Sequence, residues 1–202
     1  MSICLEIIPS LPVIPTAGEL TNEIEKLIKL LESDNDCKYI WERDEIESFD
    51  VLIEYLKEES GTITERHSDS SLPLSMDDCD YGWISMGNYS AGFDFYFREP
   101  LGDRDNFLLK YMDEEISASP NANELREYFS LEAASKLKQY WMLRGSVGRS
   151  RATWLLAGIT ATALARMTQG IVFSDDGGGD YSRLPSDPDS FIKWFPSWCR
   201  RQ

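Results

Sequence analysis

The sequence predicts an α+β protein in which a small antiparallel sheet packs with several helices. Two observations lead to this fold class. Apolar residues recur at helical spacing in separate segments, for example Leu20, Ile24 and Leu27. Elsewhere, the three phenylalanines of residues 93–97 alternate with polar residues, which is typical of a strand that buries one face. Helical patterns dominate towards the end, so we expect the C-terminal half to be mainly helical.

Length and composition fit one domain. The chain has 202 residues, of which 42% are hydrophobic and 12% aromatic. A chain of this size can bury a sizeable core, and an acidic disordered chain would be poor in aromatic residues. We therefore predict a single α+β domain over residues 1–202, with a soft internal boundary near 116–121.

The N-terminal segment is predicted to be extended and then helical. Residues 1–15 are rich in Ile, Leu, Val and Pro, and residues 3–8 suit an edge strand. Thr16 and Glu19 have the spacing of a capping box. The apolar residues that follow predict a helix over residues 17–32.

The next stretch is predicted to mix short elements. Residues 39–41 suit a short strand. Ser48 suits the N-cap of a second helix, which Gly61 would end. Residues 62–66 alternate as in a strand, and residues 69–80 form a polar, acidic loop.

A β-hairpin is the clearest strand signal. Residues 83–86 and 93–98 flank a glycine-containing connection and predict two antiparallel strands. Residues 100–105 suit a turn. The pattern of residues 107–112 fits a strand and a helix equally, so both remain open.

The last third is predicted to be mostly helical. The helical period continues over residues 119–143, and Ser150 then caps a helix over residues 151–168. Residues 171–173 suit a short strand. Asp187, followed by proline, marks the start of a final helix.

The charge is concentrated in the first half of the chain. Residues 1–101 contain 22 Asp and Glu against 7 Lys and Arg, whereas residues 102–202 contain 13 of each. The negative electrostatic field of such an acidic region attracts cationic partners and repels nucleic acid. The second half has a stretch with six bases and no acid: Lys136, Lys138, Arg144, Arg149, Arg151 and Arg166. We expect no nucleic-acid binding, and contact between the two halves within one chain or in a homodimer is an alternative use for this stretch.

We predict a docking surface for a protein partner with a basic surface. Its candidate residues are acids and aromatics of the first half: Trp41, Glu42, Asp44, Glu45, Glu47, Asp50, Asp77, Asp78, Asp80, Tyr81 and Trp83. Aromatic residues beside charges suit an interface core with a charged rim. A solvated acidic face that keeps the protein soluble is the competing interpretation.

The sequence offers little for catalysis. His67 is the only histidine, so a site with several histidines is excluded, although a cysteine–histidine pair stays possible. Asp175, Asp176 and Asp180 could supply oxygen ligands for a cation. A metal-dependent hydrolase that uses these three carboxylates is therefore an alternative function. We expect no catalytic residues, no metal and no cofactor.

The cysteines and the apolar runs suggest a cytoplasmic protein. Cys4, Cys37, Cys79 and Cys199 form no C-x-x-C pair, so we expect free thiols rather than a zinc site. The N-terminus lacks a secretory pattern. The most apolar run, residues 153–165, is shorter than the roughly 20 residues that a membrane span requires. We expect no membrane association.

Part of the C-terminal half resembles a known group of proteins. Residues 162–181 read TALARMTQGIVFSDDGGGDY. This segment resembles a stretch of immunity proteins from type VI and contact-dependent toxin systems of bacteria, and the resemblance covers about residues 150–195. It implies non-catalytic neutralisation of a cognate toxin in the cytoplasm. A metal-dependent hydrolase and a self-associating scaffold protein are the alternatives.

Overall fold

Strands and helices follow one another irregularly along the chain. The computed structural model describes residues 2–75, 79–87, 92–98, 103–119, 121–137, 139–146, 148–174 and 181–202. The strands of that part are β1 (Ser2–Ile8), β2 (Val51–Glu59), β3 (Thr62–His67), β4 (Tyr81–Met86), β5 (Gly92–Arg98), β6 (Tyr140–Ser146) and β7 (Ile171–Phe173). The α-helices are α1 (Ala17–Leu31), α2 (Asn35–Arg43), α3 (Asp103–Ala118), α4 (Ala122–Tyr128), α5 (Leu131–Leu137), α6 (Arg151–Thr168) and α7 (Pro188–Arg201).

The described strands form one sheet in the order β3-β2-β4-β5-β6-β1-β7. Every pair of neighbours is antiparallel. This arrangement confirms the predicted α+β class, and helices dominate the C-terminal half as expected. The predicted edge position of residues 3–8 was wrong, because β1 lies between β6 and β7.

Of the predicted capping residues, Thr16, Ser150 and Asp187 begin helices in the structure, whereas Ser48 does not. Thr16 and Glu19 form the predicted capping box at the start of α1. The Ser150 hydroxyl accepts a hydrogen bond from the Thr153 amide (3.1 Å) at the start of α6. Asp187 caps α7 in the same way. These side chains satisfy amide groups that have no partner within the helix.

Two predictions between residues 34 and 61 were wrong. Residues 39–41 belong to α2, whose first turn is capped by the Asp34 carboxylate. The helix predicted from Ser48 to Gly61 is strand β2, which pairs with β3 on one side and β4 on the other. The apolar residues of β2 fit both a helical and a strand period. Pairing with the two neighbouring strands stabilises the strand.

The predicted helical stretch over residues 119–143 ends early. Helices α4 and α5 lie within it, but Tyr140 begins strand β6 between β5 and β1. The fully buried Trp141 donates its indole N–H to the Leu74 carbonyl oxygen (3.1 Å), so its ring is fixed in the core. The undecided residues 107–112 are helical and belong to α3.

The main core lies between one face of the sheet and helices α1, α6 and α7. Helix α6 is buried on nearly all sides, because the sheet covers one side of it and α7 the other. A second cluster covers the opposite face at the β1–β7 end. It joins Ile8 and Ile171 of the sheet to Met112, Ile116 and Leu125 of α3 and α4.

Two further findings concern the cysteines and the hydropathy of the helices. All four cysteines are free thiols. Within the described ranges, no helix combines the length and the apolar character that crossing a lipid bilayer requires.

Candidate functional site

The face of the sheet opposite α6 carries partly exposed side chains on its three central strands. We call this surface the open face and define it by the following residues: Tyr81 and Trp83 on β4, Asp94 and Tyr96 on β5, and Met142 and Arg144 on β6. Because side chains alternate between the two faces of a strand, the residues between them point into the main core. The open face therefore presents polar and aromatic groups on a rigid backbone.

Strand pairing places three unlike side chains in one row on this face. Trp83 pairs with Asp94, and Asp94 pairs with Arg144. The guanidinium of Arg149, which precedes α6, lies 5.7 Å from the centre of the Trp83 ring. The row therefore combines an aromatic ring, a carboxylate and two guanidinium groups.

The carboxyl group of Asp94 is the acid of the open face, and its pKa is shifted from the ordinary value. Burial raises the pKa of Asp94, and the nearby charges of Arg144 and Arg149 oppose that rise without cancelling it. The Tyr96 hydroxyl donates a long hydrogen bond (3.5 Å) to the same carboxylate. The negative charge of Asp94 is therefore incompletely compensated, which is a common property of functional sites.

Two tyrosines extend the open face next to this row. The rings of Tyr81 and Tyr96 lie 5.9 Å apart, and the guanidinium of Arg98 lies 4.7 Å from the centre of the Tyr96 ring. Burial raises the pKa of both phenols. They remain neutral at physiological pH and can donate hydrogen bonds. Together with Trp83 they form an aromatic centre that a protein partner can cover.

The first predicted acidic group lies near the end of β4, in the last turn of α2 and the connection from α2 to β2. Its members in this segment are Glu42, Asp44, Glu45, Glu47 and Asp50. The Asp44 carboxylate accepts a hydrogen bond from the Ala152 amide (2.7 Å), so it helps to cap α6. The Ser48 hydroxyl donates to the Asp50 carboxylate (2.7 Å). Glu42, Glu45, Glu47 and Asp50 are exposed.

Trp41 lies beside this group but inside the protein. It is only 6% exposed, and its ring meets that of Phe49 edge-on, with the ring centres 4.9 Å apart. The ring therefore packs in the core, and little of it is exposed for a partner.

Of the second predicted acidic group, Asp80 is described and lies at the start of β4. The Asp80 carboxylate accepts a hydrogen bond from the Glu58 amide (2.7 Å), which ties it to the β2–β3 hairpin. Asp77 and Asp78 lie outside the described residues. Asp80 is separated from the first acidic group by the length of β4, roughly 17 Å at about 3.3 Å per residue. The structure thus does not merge them into one patch, and the open face lies between them.

The basic stretch of the second half is dispersed. Arg166 pairs with Asp189 (2.6 Å), and Lys136 pairs with Glu132 (2.6 Å). Arg151 donates to a backbone carbonyl of α7. Arg144 and Arg149 meet the open face, as described above, and Lys138 lies outside the described residues. A contact between the acidic and basic halves does occur elsewhere, since Arg200 pairs with Asp36 (2.7 Å).

Sequence reasoning identified Tyr81 and Trp83 but missed Asp94, Tyr96 and Arg144. The alternation of residues 93–98 did place Asp94 and Tyr96 on the polar side of a strand. Arg144 was missed because its neighbours follow a helical period, so a strand was not expected there.

A metal site receives no support from the part of the chain that the structure describes. Within that part, no group of three or more His, Cys, Asp or Glu side chains could hold a metal ion. Asp175, Asp176 and Asp180, the ligands of the alternative hydrolase, lie outside it.

Comparisons with known proteins give no further direction. No family model matches the chain, and no curated protein and no solved structure is significantly similar to it.

Proposed function

We propose that this chain is an immunity-type binding protein that holds a cognate bacterial toxin on the open face of its sheet and thereby neutralises it. The observation that carries the proposal is the row Trp83, Asp94 and Arg144. It joins an aromatic surface to a carboxylate whose charge the protein does not fully compensate. A cationic group of the partner would supply the missing compensation and restore an ordinary pKa to Asp94.

The described acids near the two ends of β4 fit the role of a charged rim. Interfaces commonly combine a central aromatic cluster, which contributes most of the binding energy, with charged residues at the edge that remain solvated. The exposed acids Glu45, Glu47 and Asp50 lie at one end, and Glu58 and Asp80 at the other. Rim charges mainly raise the association rate with a basic partner.

This role requires neither a catalytic group nor a cofactor, since neutralisation needs only a stable complex. It also fits the expectation of a cytoplasmic protein whose partner is a basic toxin such as a nuclease. The resemblance of residues 150–195 to immunity proteins supports the same function. We propose that the partner is encoded by the neighbouring gene.

Calorimetry with the product of the neighbouring gene tests the proposal. We expect Trp83→Ala to weaken binding by about 30-fold or more, the loss typical of an aromatic residue at an interface centre. Reversing the charge of Glu45 and Glu47 should weaken binding less, and mostly at low salt. Leu30→Ala, on the exposed side of α1, is the matched control and should leave binding unchanged.

Unchanged binding by the Trp83 variant would contradict the proposal. So would an affinity that is indifferent both to salt and to the charge of residues 42–50. Sedimentation of the chain alone, at low and at high salt, separates this function from a scaffold that associates with itself. A monomer at both salt concentrations agrees with the proposed function.

A further inference from the structure

A cysteine and the single histidine meet at the edge of the sheet remote from β7. The Cys79 sulfur lies 3.9 Å from Nε2 of His67, within the distance of a hydrogen bond that involves sulfur. His67 ends strand β3, and Cys79 precedes β4. The amide of Asp80 donates to the Leu56 carbonyl oxygen (3.0 Å), which fixes the chain next to Cys79 against β2.

The imidazole ring of His67 is held in place. It stacks on Tyr55 of β2, with ring centres 5.7 Å apart and an angle of 18° between the planes. Tyr55 is 1% exposed, and its hydroxyl donates to the Leu72 carbonyl oxygen (3.2 Å). A buried, hydrogen-bonded ring thus supports the exposed imidazole, so Nε2 can face the thiol persistently.

An ionised carboxylate lies close to the same imidazole. Asp69 accepts hydrogen bonds from the amide (2.8 Å) and the hydroxyl (2.7 Å) of Ser71. These bonds lower the pKa of Asp69, and the charge of His67 contributes a smaller lowering. Asp69 therefore places an ionised carboxylate beside the imidazole. Thiol, imidazole and carboxylate together are the elements of an activated nucleophile.

The remaining cysteines lie in different surroundings. Burial raises the pKa of the Cys37 thiol and also that of the Cys199 thiol. Neither thiol therefore ionises in the folded protein. Cys4 of β1 is partly exposed and lies opposite Arg144 of β6 in the strand register. Cys79 is also partly exposed, and it is the thiol with a histidine nitrogen in reach.

We propose that Cys79 is a nucleophilic thiol, activated by His67, and that it is a site of oxidation by peroxides. His67 takes the thiol proton on Nε2, and the thiolate attacks one oxygen of hydrogen peroxide. The sulfur–oxygen bond forms as the oxygen–oxygen bond breaks, and the departing hydroxide takes the proton from His67 to give water. The sulfur becomes a sulfenic acid by losing two electrons, which reduce the peroxide. This inference is independent of the proposed toxin-binding function.

Other titratable groups lie around the pair. The titratable groups that the described residues place around it are Tyr55 on β2 and Asp69 after β3, with Asp80 following Cys79 in the chain. Burial raises the pKa of Tyr55, and the charges of Cys79 and Asp69 add to that rise, so the phenol stays neutral. Because the thiolate is the reactive form of a cysteine and the geometry offers His67 as its proton acceptor, we expect Cys79 to react faster in the native protein than in a variant without this imidazole.

Timed alkylation of the full chain with iodoacetamide, read at each cysteine by mass spectrometry, tests the activation. At pH 7 we expect Cys79 to react first, about tenfold faster than in the His67→Phe variant, because the thiolate is the reactive form. Phenylalanine keeps the stacking on Tyr55 but removes the accepting nitrogen. Glu65→Gln, on the same strand, is the matched control and should leave the rate unchanged.

The buried cysteines report whether a variant is folded. If Cys37 and Cys199 stay unreactive while Cys79 slows down, loss of structure does not explain the result. Equal rates for Cys79 in the native and His67→Phe proteins would overturn the inference, and so would a faster reaction at Cys4. In the peroxide experiment, a sulfenic-acid reagent such as dimedone should label Cys79 after treatment with hydrogen peroxide. Absence of that label would refute the oxidation site.

Discussion

The two faces of the central sheet differ sharply although the same strands supply both. On β6, Trp141 and Leu143 point into the core and are at most 1% exposed, whereas Met142 and Arg144 belong to the open face. On β5, Phe93 and Phe95 are equally buried beside Asp94 and Tyr96. One step along a strand changes the face. Core-facing residues thus contribute to stability and their neighbours on the open face are available for binding. Substitutions at adjacent positions can therefore test the two roles separately.

The largest expected effect is a loss of stability, and it is measured by substituting two adjacent residues of β6. Trp141→Ala removes a fully buried ring and its hydrogen bond to Leu74, so we expect a loss of roughly 3–5 kcal/mol in the free energy of unfolding. Met142→Ala, on the open face, should cost about 1 kcal/mol, because the side chain is only half-buried. Urea unfolding of both variants measures the difference. Similar losses would show that the open face also contributes to the stability of the core.

A second, smaller effect tests how tightly the helix layer covers the other face. A methyl group added at Gly158 of α6 would lie 2.1 Å from a ring carbon of Phe195 on α7. Gly158→Ala should therefore destabilise the protein by about 1–3 kcal/mol through overpacking. Because the clash involves one ring, Phe195→Leu combined with Gly158→Ala should cost less than the sum of the single losses. Strict additivity in a double-mutant cycle would mean that this contact is not the cause.

The smallest expected effect is a gain in stability, and it comes from substituting Asp94 on the open face. Burial raises the pKa of Asp94 in the folded state, so ionising it costs stability as the pH rises from its unfolded-state pKa of about 3.9 through the folded-state value. Asp94→Asn removes this cost. We expect a gain of at most about 0.5 kcal/mol at pH 7 and none at pH 3, where both states are protonated. Thermal unfolding at the two pH values measures it, and a loss of stability at pH 7 would argue against a destabilising carboxylate.

Local signals in the sequence predicted the elements that depend on local chemistry. The capping residues Thr16, Ser150 and Asp187 marked helix starts correctly, and the alternation of residues 93–98 identified a strand and its buried face. Strands β2 and β6 were missed, since their apolar residues also fit a helical period. Pairing with distant strands decides their structure, and that information is not contained in a short window.

The candidate site was predictable only in part for the same reason. Trp83 and Tyr81 were recognised as aromatic residues near acids, but Arg144 comes to Asp94 only through the pairing of β5 with β6. The acidic residues 42–50 and Asp80 were predicted to share one docking surface, yet they lie at opposite ends of β4. The burial of Trp41 follows from packing against Phe49, which its charged neighbours in the sequence conceal.

Hydroxyl-radical footprinting, with and without the product of the neighbouring gene, tests the central claim most directly. The account predicts that the partner protects Trp83 and Tyr96 from oxidation, while Leu30 of α1 reacts to the same extent in both samples. Protection of Leu30 with an unchanged reaction at Trp83 and Tyr96 would contradict it, because the partner would then bind on the helix-covered side of the sheet.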